Sequence, residues 1–132
     1  MIPWKRIPYH IDIDPKKPGR TQNWFEMAAL EKALGRPITW VYSNLIEPGK
    51  TAGSHYHHEH EVLVWVASGE LVMHLRDVDS DEAETVTVKA NSELLSVPRR
   101  VYHAGGNIGT EPCLAVMFAS TKPRDAGDEY FT

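Results

Sequence analysis

A single cysteine, Cys113, stands in the apolar run CLAVMF. No internal disulfide can form, and the residue reads as a buried thiol of raised pKa rather than a nucleophile. No stretch approaches the ~18 apolar residues that a membrane span requires. The opening MIPWKRIPYH lacks the apolar run of a secretory signal, so a cytoplasmic protein without a membrane partner is expected. Basic runs are also missing, none being longer than Arg99-Arg100. With 14 basic against 18 acidic residues and a formal charge of -4, the chain has no electrostatic footprint for nucleic acid. A small-molecule substrate is the expected partner.

What is present suffices for one domain: 132 residues, 42% of them hydrophobic, allow a single core and are too few for two of ordinary size. Residues 1–36 read as an N-terminal arm followed by one short helix. Pro3, Pro8, Pro15 and Pro18 favour extended chain. In NWFEMAALEKALGRP, Asn23 is placed as a cap with Glu26 three residues on, and Gly35 and Pro37 as stop signals. From 37 to 120 the chain turns to short runs rich in β-branched and aromatic residues: ITWVYSNLI, VLVWVA, ELVMHLR, ETVTVK, ELLSV, VYHA and CLAVMFAS. Turn signals separate them, which predicts an all-β sandwich or barrel. Residues 121–132 form a C-terminal tail. The acidic stretch DVDSDEAE has neither the glycine nor the ligand spacing of a calcium loop and predicts a solvated hairpin.

The chemistry concentrates in HYHHEHE, residues 55–61, where four of seven histidines crowd together with two glutamates. On an extended strand, positions i and i+2 share a face, so His55 and His57 set two ring nitrogens side by side. Glu61 has the same parity and offers a carboxylate, and His103 can arrive from a distant strand as a further ligand. Such a set suits a divalent metal ion, Zn²⁺, Fe²⁺, Mn²⁺, Ni²⁺ or Cu²⁺, with one or two positions left open. For His10, His58, His60 and His74 an ordinary core or surface role is expected. Tyr56 and Tyr102 should face away from the candidate ligands. If Glu61 faces inward, Leu63, Trp65 and Ala67 follow by parity. Trp40 and Tyr42 share a face of the preceding strand, which makes Tyr42 a candidate acid or base.

Both halves of this pattern resemble the cupin superfamily. Its first motif reads Gly, five residues, His-x-His, three or four residues, Glu, six residues, Gly; its second reads Pro-x-Gly-x-x-His-x-x-x-Asn. The chain supplies His55-Tyr-His57, Glu61 and Gly69, then Pro98-Arg-Arg100-Val-Tyr-His103-Ala-Gly-Gly-Asn107, with the motifs in order and about forty residues apart. The similarity covers roughly residues 45–120 and implies a small jelly-roll β-barrel with the site inside its mouth. Arg100 stands where the family has glycine. Seven residues separate Glu61 from Gly69, one more than in the motif, so counting back from Gly69 reaches Val62. Either a bulge absorbs the extra residue and Glu61 points inward, which is the expectation, or the register holds and the site is three histidines. Asn107 is expected to stabilise the loop after its strand.

GSHYHH, EPCLAVMFAS and DEYF look similar to small cupins of polysaccharide pathways, including nucleotide-sugar ketoisomerases and the cupin domain of a capsule-precursor reductase. In the ketoisomerases the resemblance implies paired histidines, here His55 and His57, moving protons beside a sugar carbonyl. Those relatives carry an arginine before His-x-His; this chain has Ala52-Gly53-Ser54. The leading expectation is a metal-dependent enzyme that isomerises, epimerises or cleaves a small polar carbonyl or sugar-like compound. A metal dioxygenase and a non-catalytic ligand-binding module stand as alternatives. Family members pair through sheet edges, so a homodimer is expected.

Overall fold

The computed structural model describes residues 2–58, 61–121 and 129–130. The arm is extended, as its prolines require, and supplies three short strands: β1 (Lys5–Ile7), β2 (His10–Asp12) and β3 (Gln22–Trp24). Helix α1 spans Met27–Leu34 and ends at Gly35, whose N–H returns to the Glu31 carbonyl at 2.8 Å. It begins later than the Asn23 cap predicts. Asn23 lies in β3, where its side chain accepts from the Tyr9 hydroxyl at 2.9 Å and donates to Asn91 at 3.1 Å. An asparagine engaged in that network is not available to cap a helix.

The runs after Pro37 all become strands: β4 (Trp40–Ile46), β5 (Thr51–His57), β6 (Val62–Ser68) and β7 (Glu70–Asp77). They continue with β8 (Ala83–Lys89), β9 (Leu94–Val97), β10 (Val101–Gly106) and β11 (Cys113–Ala119). A last short strand, β12 (Glu129–Tyr130), pairs with β5. Two five-stranded antiparallel sheets result, ordered β1-β9-β6-β11-β4 and β12-β5-β10-β7-β8. The architecture is an all-β barrel of jelly-roll type.

Strand alternation sorts side chains between two cores. Val62, Val64 and Val66 of β6 join Leu71, Met73 and Leu75 of β7 in the main cluster. Leu63 and Phe118 point the other way and pack with Leu30 and Leu34 of α1. Trp65 joins that second cluster and donates to the Tyr9 hydroxyl at 2.8 Å. Burial raises the Tyr9 pKa, with the Trp65 hydrogen bond opposing it. The arm is tied across the barrel: β1 pairs with β9, the Trp4 indole donates to Glu84 of β8, and the Arg6 guanidinium lies 5.5 Å from the Trp4 ring centroid.

Two turns show why their residues are there. Gly69 joins β6 to β7 at φ +82°, and a Cβ there would come within 2.9 Å of the Cys113 Cα. At the β7–β8 hairpin, the Asp77 carboxylate accepts from the Asp79 N–H at 2.8 Å, so the acidic stretch is a self-capped turn.

Candidate functional site

His55 and His57 lie on β5, and His103 on the neighbouring β10, which pairs His103 directly with His55. A ligand atom from each of the three rings lies within 4.8 Å of the others. The ring centroids are 4.6 Å apart for His55–His57, 4.8 Å for His55–His103 and 5.5 Å for His57–His103. The convergence expected from two distant motifs is therefore met by adjacent strands.

The β5–β10 register explains how the rings meet. His103 pairs with His55 but Ala104 with Gly53, so Ser54 is an extra residue, a bulge with φ +67°. Beside it Gly53 has φ +92°, and a Cβ there would lie 2.9 Å from the His103 carbonyl oxygen and 3.4 Å from its ring. Only a residue without a side chain lets β5 run this close to His103. A bulge thus does sit beside the site, but before the histidines rather than at Glu61.

His103 is oriented by its own strand. A carbonyl only accepts, so the 3.1 Å contact of Nδ1 with the Val101 carbonyl puts the proton on Nδ1. In the neutral ring Nε2 then keeps its lone pair, the form that binds a metal. The two motifs are also joined at their ends. The Arg100 N–H donates to the His57 carbonyl at 2.7 Å.

The three rings open into a cavity of about 1010 Å³ between the sheets. Its wall is mostly apolar, with Val62, Val64, Leu71, Met73 and Met117. Glu47 and Lys50 lie on the β4–β5 turn, and Tyr42 of β4 lines the same space. Trp40, which shares the Tyr42 face, is not among the lining residues and is 44% exposed.

The inward turn expected of Glu61 is not found. Its carboxylate meets Arg99 at 3.2 Å and Arg36 at 3.6 Å, and it is not one of the three converging residues. The neighbouring Val62 lines the cavity instead. Strand parity then places Val62, Val64 and Val66 on the inner face and Leu63 and Trp65 on the outer one, the reverse of what an inward Glu61 requires. The register counted back from Gly69 is the one that holds.

The remaining singled-out residues fall where strand geometry sends them. Tyr56 and Tyr102 are not cavity-lining, and Arg76 lies 5.4 Å from the Tyr102 ring centroid. Arg100, in the position the motif gives to glycine, adopts φ +59°. Its guanidinium donates twice to Asp79, at 2.7 and 3.0 Å, and meets His58 Nδ1 at 2.8 Å. The Arg100 hydrogen bond lowers the Asp79 pKa, and the Asp79 bond raises that of Arg100. His10 packs on Trp24, and His74 contacts Thr85. His60 and most of the C-terminal tail lie outside the described residues. Asn107 is buried; its amide donates to the Ile46 and Glu111 carbonyls at 2.9 and 2.8 Å. Gly53, Ser54 and Val62 are the site residues that motif reading underweights. The signals for them were the Ala-Gly-Ser run before His55 and the count back from Gly69.

Three imidazoles, each offering one ring nitrogen to a common point, make a donor set that suits a divalent transition metal.

Among solved structures, a 3,4-ketoisomerase from Helicobacter canadensis superposes with a TM-score of 0.83 at 14% identity, covering 100% of this chain and 92% of that one. The TDP-quinovose 3,4-ketoisomerase of Campylobacter jejuni gives 0.82 at 17% identity, covering 100% and 95%. The capsular polysaccharide assembling protein of Staphylococcus aureus gives 0.66 at 23% identity; 94% of this chain matches only 34% of that one. A search of curated proteins gives no match. The structural neighbours share the barrel, and the family model carries the assignment: it matches residues 30–129, a span that includes all three converging histidines, and the chain belongs to the polysaccharide biosynthesis C-terminal domain family.

Proposed function

We propose that the chain is a cupin-type, metal-dependent isomerase or epimerase acting on a keto sugar carried by a nucleotide, with His55, His57 and His103 as the metal ligands. The observation that carries the metal is the convergence of three imidazoles within 4.8 Å at the wall of a largely apolar cavity. The substrate class draws on the neighbours, one of which was solved in complex with TDP-4-keto-6-deoxyglucose, and on the family. A divalent ion bound there would supply Lewis acidity toward a carbonyl oxygen. The chain's own residues do the rest. The Val101 carbonyl holds the His103 proton on Nδ1. Tyr42 lines the same cavity and is the side chain outside the ligand set that we assign to proton transfer at the carbon beside the carbonyl.

The ketoisomerase neighbours favour a second reading, in which His55 and His57, with ring centroids 4.6 Å apart, shuttle the proton without an ion.

Elemental analysis of protein purified without added metal, followed by NMR of a TDP-keto sugar in D₂O, separates the two. The expected result is about one divalent ion per chain and deuterium entering beside the carbonyl, both lost in His57→Ala. Full metal occupancy in His57→Ala would overturn the ligand assignment. Undiminished exchange in metal-stripped protein would transfer His55 and His57 to the acid–base role.

A further inference from the structure

The register of β5 fixes which of its residues face the cavity. His55 pairs with His103, Ala52 with Gly105 and Thr51 with Gly106, Ser54 being the extra residue. Directly paired residues share a face. Gly105 also pairs with Met73, which lies in the main core and lines the cavity. Ala52 is therefore inward, and strand alternation makes Lys50 the next inward position. The Lys50 carbonyl accepts from the Asn107 N–H at 3.0 Å, which carries the ladder one step past Thr51. Lys50, Ala52, His55 and His57 thus follow one another on the same face, and all four line the cavity.

The backbone of Lys50 is held from two sides. Its N–H donates to the Glu47 carbonyl at 3.0 Å, which closes the turn Glu47-Pro48-Gly49-Lys50 with Gly49 at φ +79°, the pattern of a type II turn. The Gly49 N–H donates to the carbonyl of the buried Asn107 at 2.8 Å. Among the described residues Lys50 is the one lysine or arginine that lines the cavity. Glu47 lines it too, but among the described residues neither side chain is in an ion pair. An unpaired cation on a fixed turn is placed to receive an anion.

Once the bulge is discounted, four strand steps separate Lys50 from His55, about 13 Å along β5, and a lysine stem covers much of that span. The remainder suits a sugar whose carbonyl lies at the imidazoles and whose anomeric carbon bears phosphate. We propose that Lys50 binds the phosphate of the nucleotide-carried substrate and so sets the preference for that substrate over the free sugar. The inference rests on the nucleotide-sugar reading above and holds whether the imidazoles carry an ion or a proton.

TDP and thymidine share a nucleoside and differ in the phosphates. Both are titrated calorimetrically into the protein as purified, into Lys50→Met and into Lys50→Arg. The three proteins keep the same imidazoles, so their differences report the side chain at position 50. Lys50→Met should bind TDP at least about 10-fold more weakly than wild type and thymidine equally well. Lys50→Arg should keep the TDP affinity to within about 3-fold. Added salt should weaken TDP binding by wild type more than by Lys50→Met. Because Lys50 is exposed, thermal unfolding should be unchanged in both variants. An unaltered TDP affinity in Lys50→Met would overturn the inference, as would an equal loss for thymidine, which would mean that the pocket and not the phosphate contact had changed. A wild-type protein that takes up neither TDP nor thymidine sinks the nucleotide-carried substrate itself, whereas one that binds TDP equally with and without the lysine sinks only this inference.

Discussion

Two residues set the local geometry of the site by what their backbones tolerate. Gly53 sits at φ +92° with the His103 carbonyl where a Cβ would go. Gly53→Ala must shift β5, β10 or both, with strain of ~1–3 kcal/mol. Displaced by a few tenths of an ångström, His103 no longer completes the triad. The expected outcome is a folded protein whose metal affinity, measured by chelator competition, falls by roughly 10–100-fold. Arg100 presents the opposite case, a long side chain in a left-handed conformation. Its bonds to Asp79 and His58 offset that strain. Arg100→Ala loses the bonds and keeps the strain, and Arg100→Gly loses both. Thermal unfolding should therefore rank Arg100→Ala below Arg100→Gly. Asp79 has its pKa lowered in the fold, chiefly by the Arg100 hydrogen bond. The stability it contributes is thus present above the unfolded carboxylate pKa and is lost as pH falls through the folded value. The gap between wild type and Arg100→Gly should accordingly narrow in acid.

At the scale of elements, the decisive feature is the phase of β6. Its Val62 lines the cavity while Glu61 bridges Arg36, just beyond α1, and Arg99, in the turn between β9 and β10. Glu61→Ala should leave metal stoichiometry unchanged and lower stability by ~1 kcal/mol or less, as partly exposed ion pairs do; loss of the metal in that variant would return Glu61 to the ligand set. Asn107 fixes a different element, the passage from β4 to β5. Its buried amide donates to the Ile46 and Glu111 carbonyls, and its main chain bonds Gly49 and Lys50. Asn107→Ala leaves the buried Ile46 carbonyl without this donor and should cost ~1–3 kcal/mol in urea unfolding. These elements also show where sequence reading stops. Strands after Pro37 were legible because alternation is local, and His55, His57 and His103 because two spaced motifs meet. The facing of Glu61 was not legible, since one residue of slip reverses every side chain on a strand and the bulge that matters lies at Ser54, on another strand. The late start of α1 was hidden for a similar reason: what Asn23 bonds to, Tyr9 and Asn91, lies far from it in sequence.

For the whole molecule, the two sheets end in unequal edges. On one side β1 pairs with β9 and Trp4 bonds Glu84 of β8, so the arm spans the gap. On the other, β4 is the terminal strand of its sheet and carries Val41 at 56% and Leu45 at 66% exposure. A bare edge strand bearing large apolar side chains invites pairing with another chain unless something covers it. We propose that a second copy does so and that the molecule works as a homodimer. Light scattering after size exclusion should then give twice the 14.9 kDa chain mass. Val41 projects from that edge strand, is not among the cavity-lining residues, and pairs in register with Phe118. Val41→Lys should therefore shift the mass toward a single chain while leaving metal stoichiometry intact. A wild-type protein that runs at 14.9 kDa at all concentrations would show that β4 is solvated as it stands, and the cavity would then have to be complete within one chain.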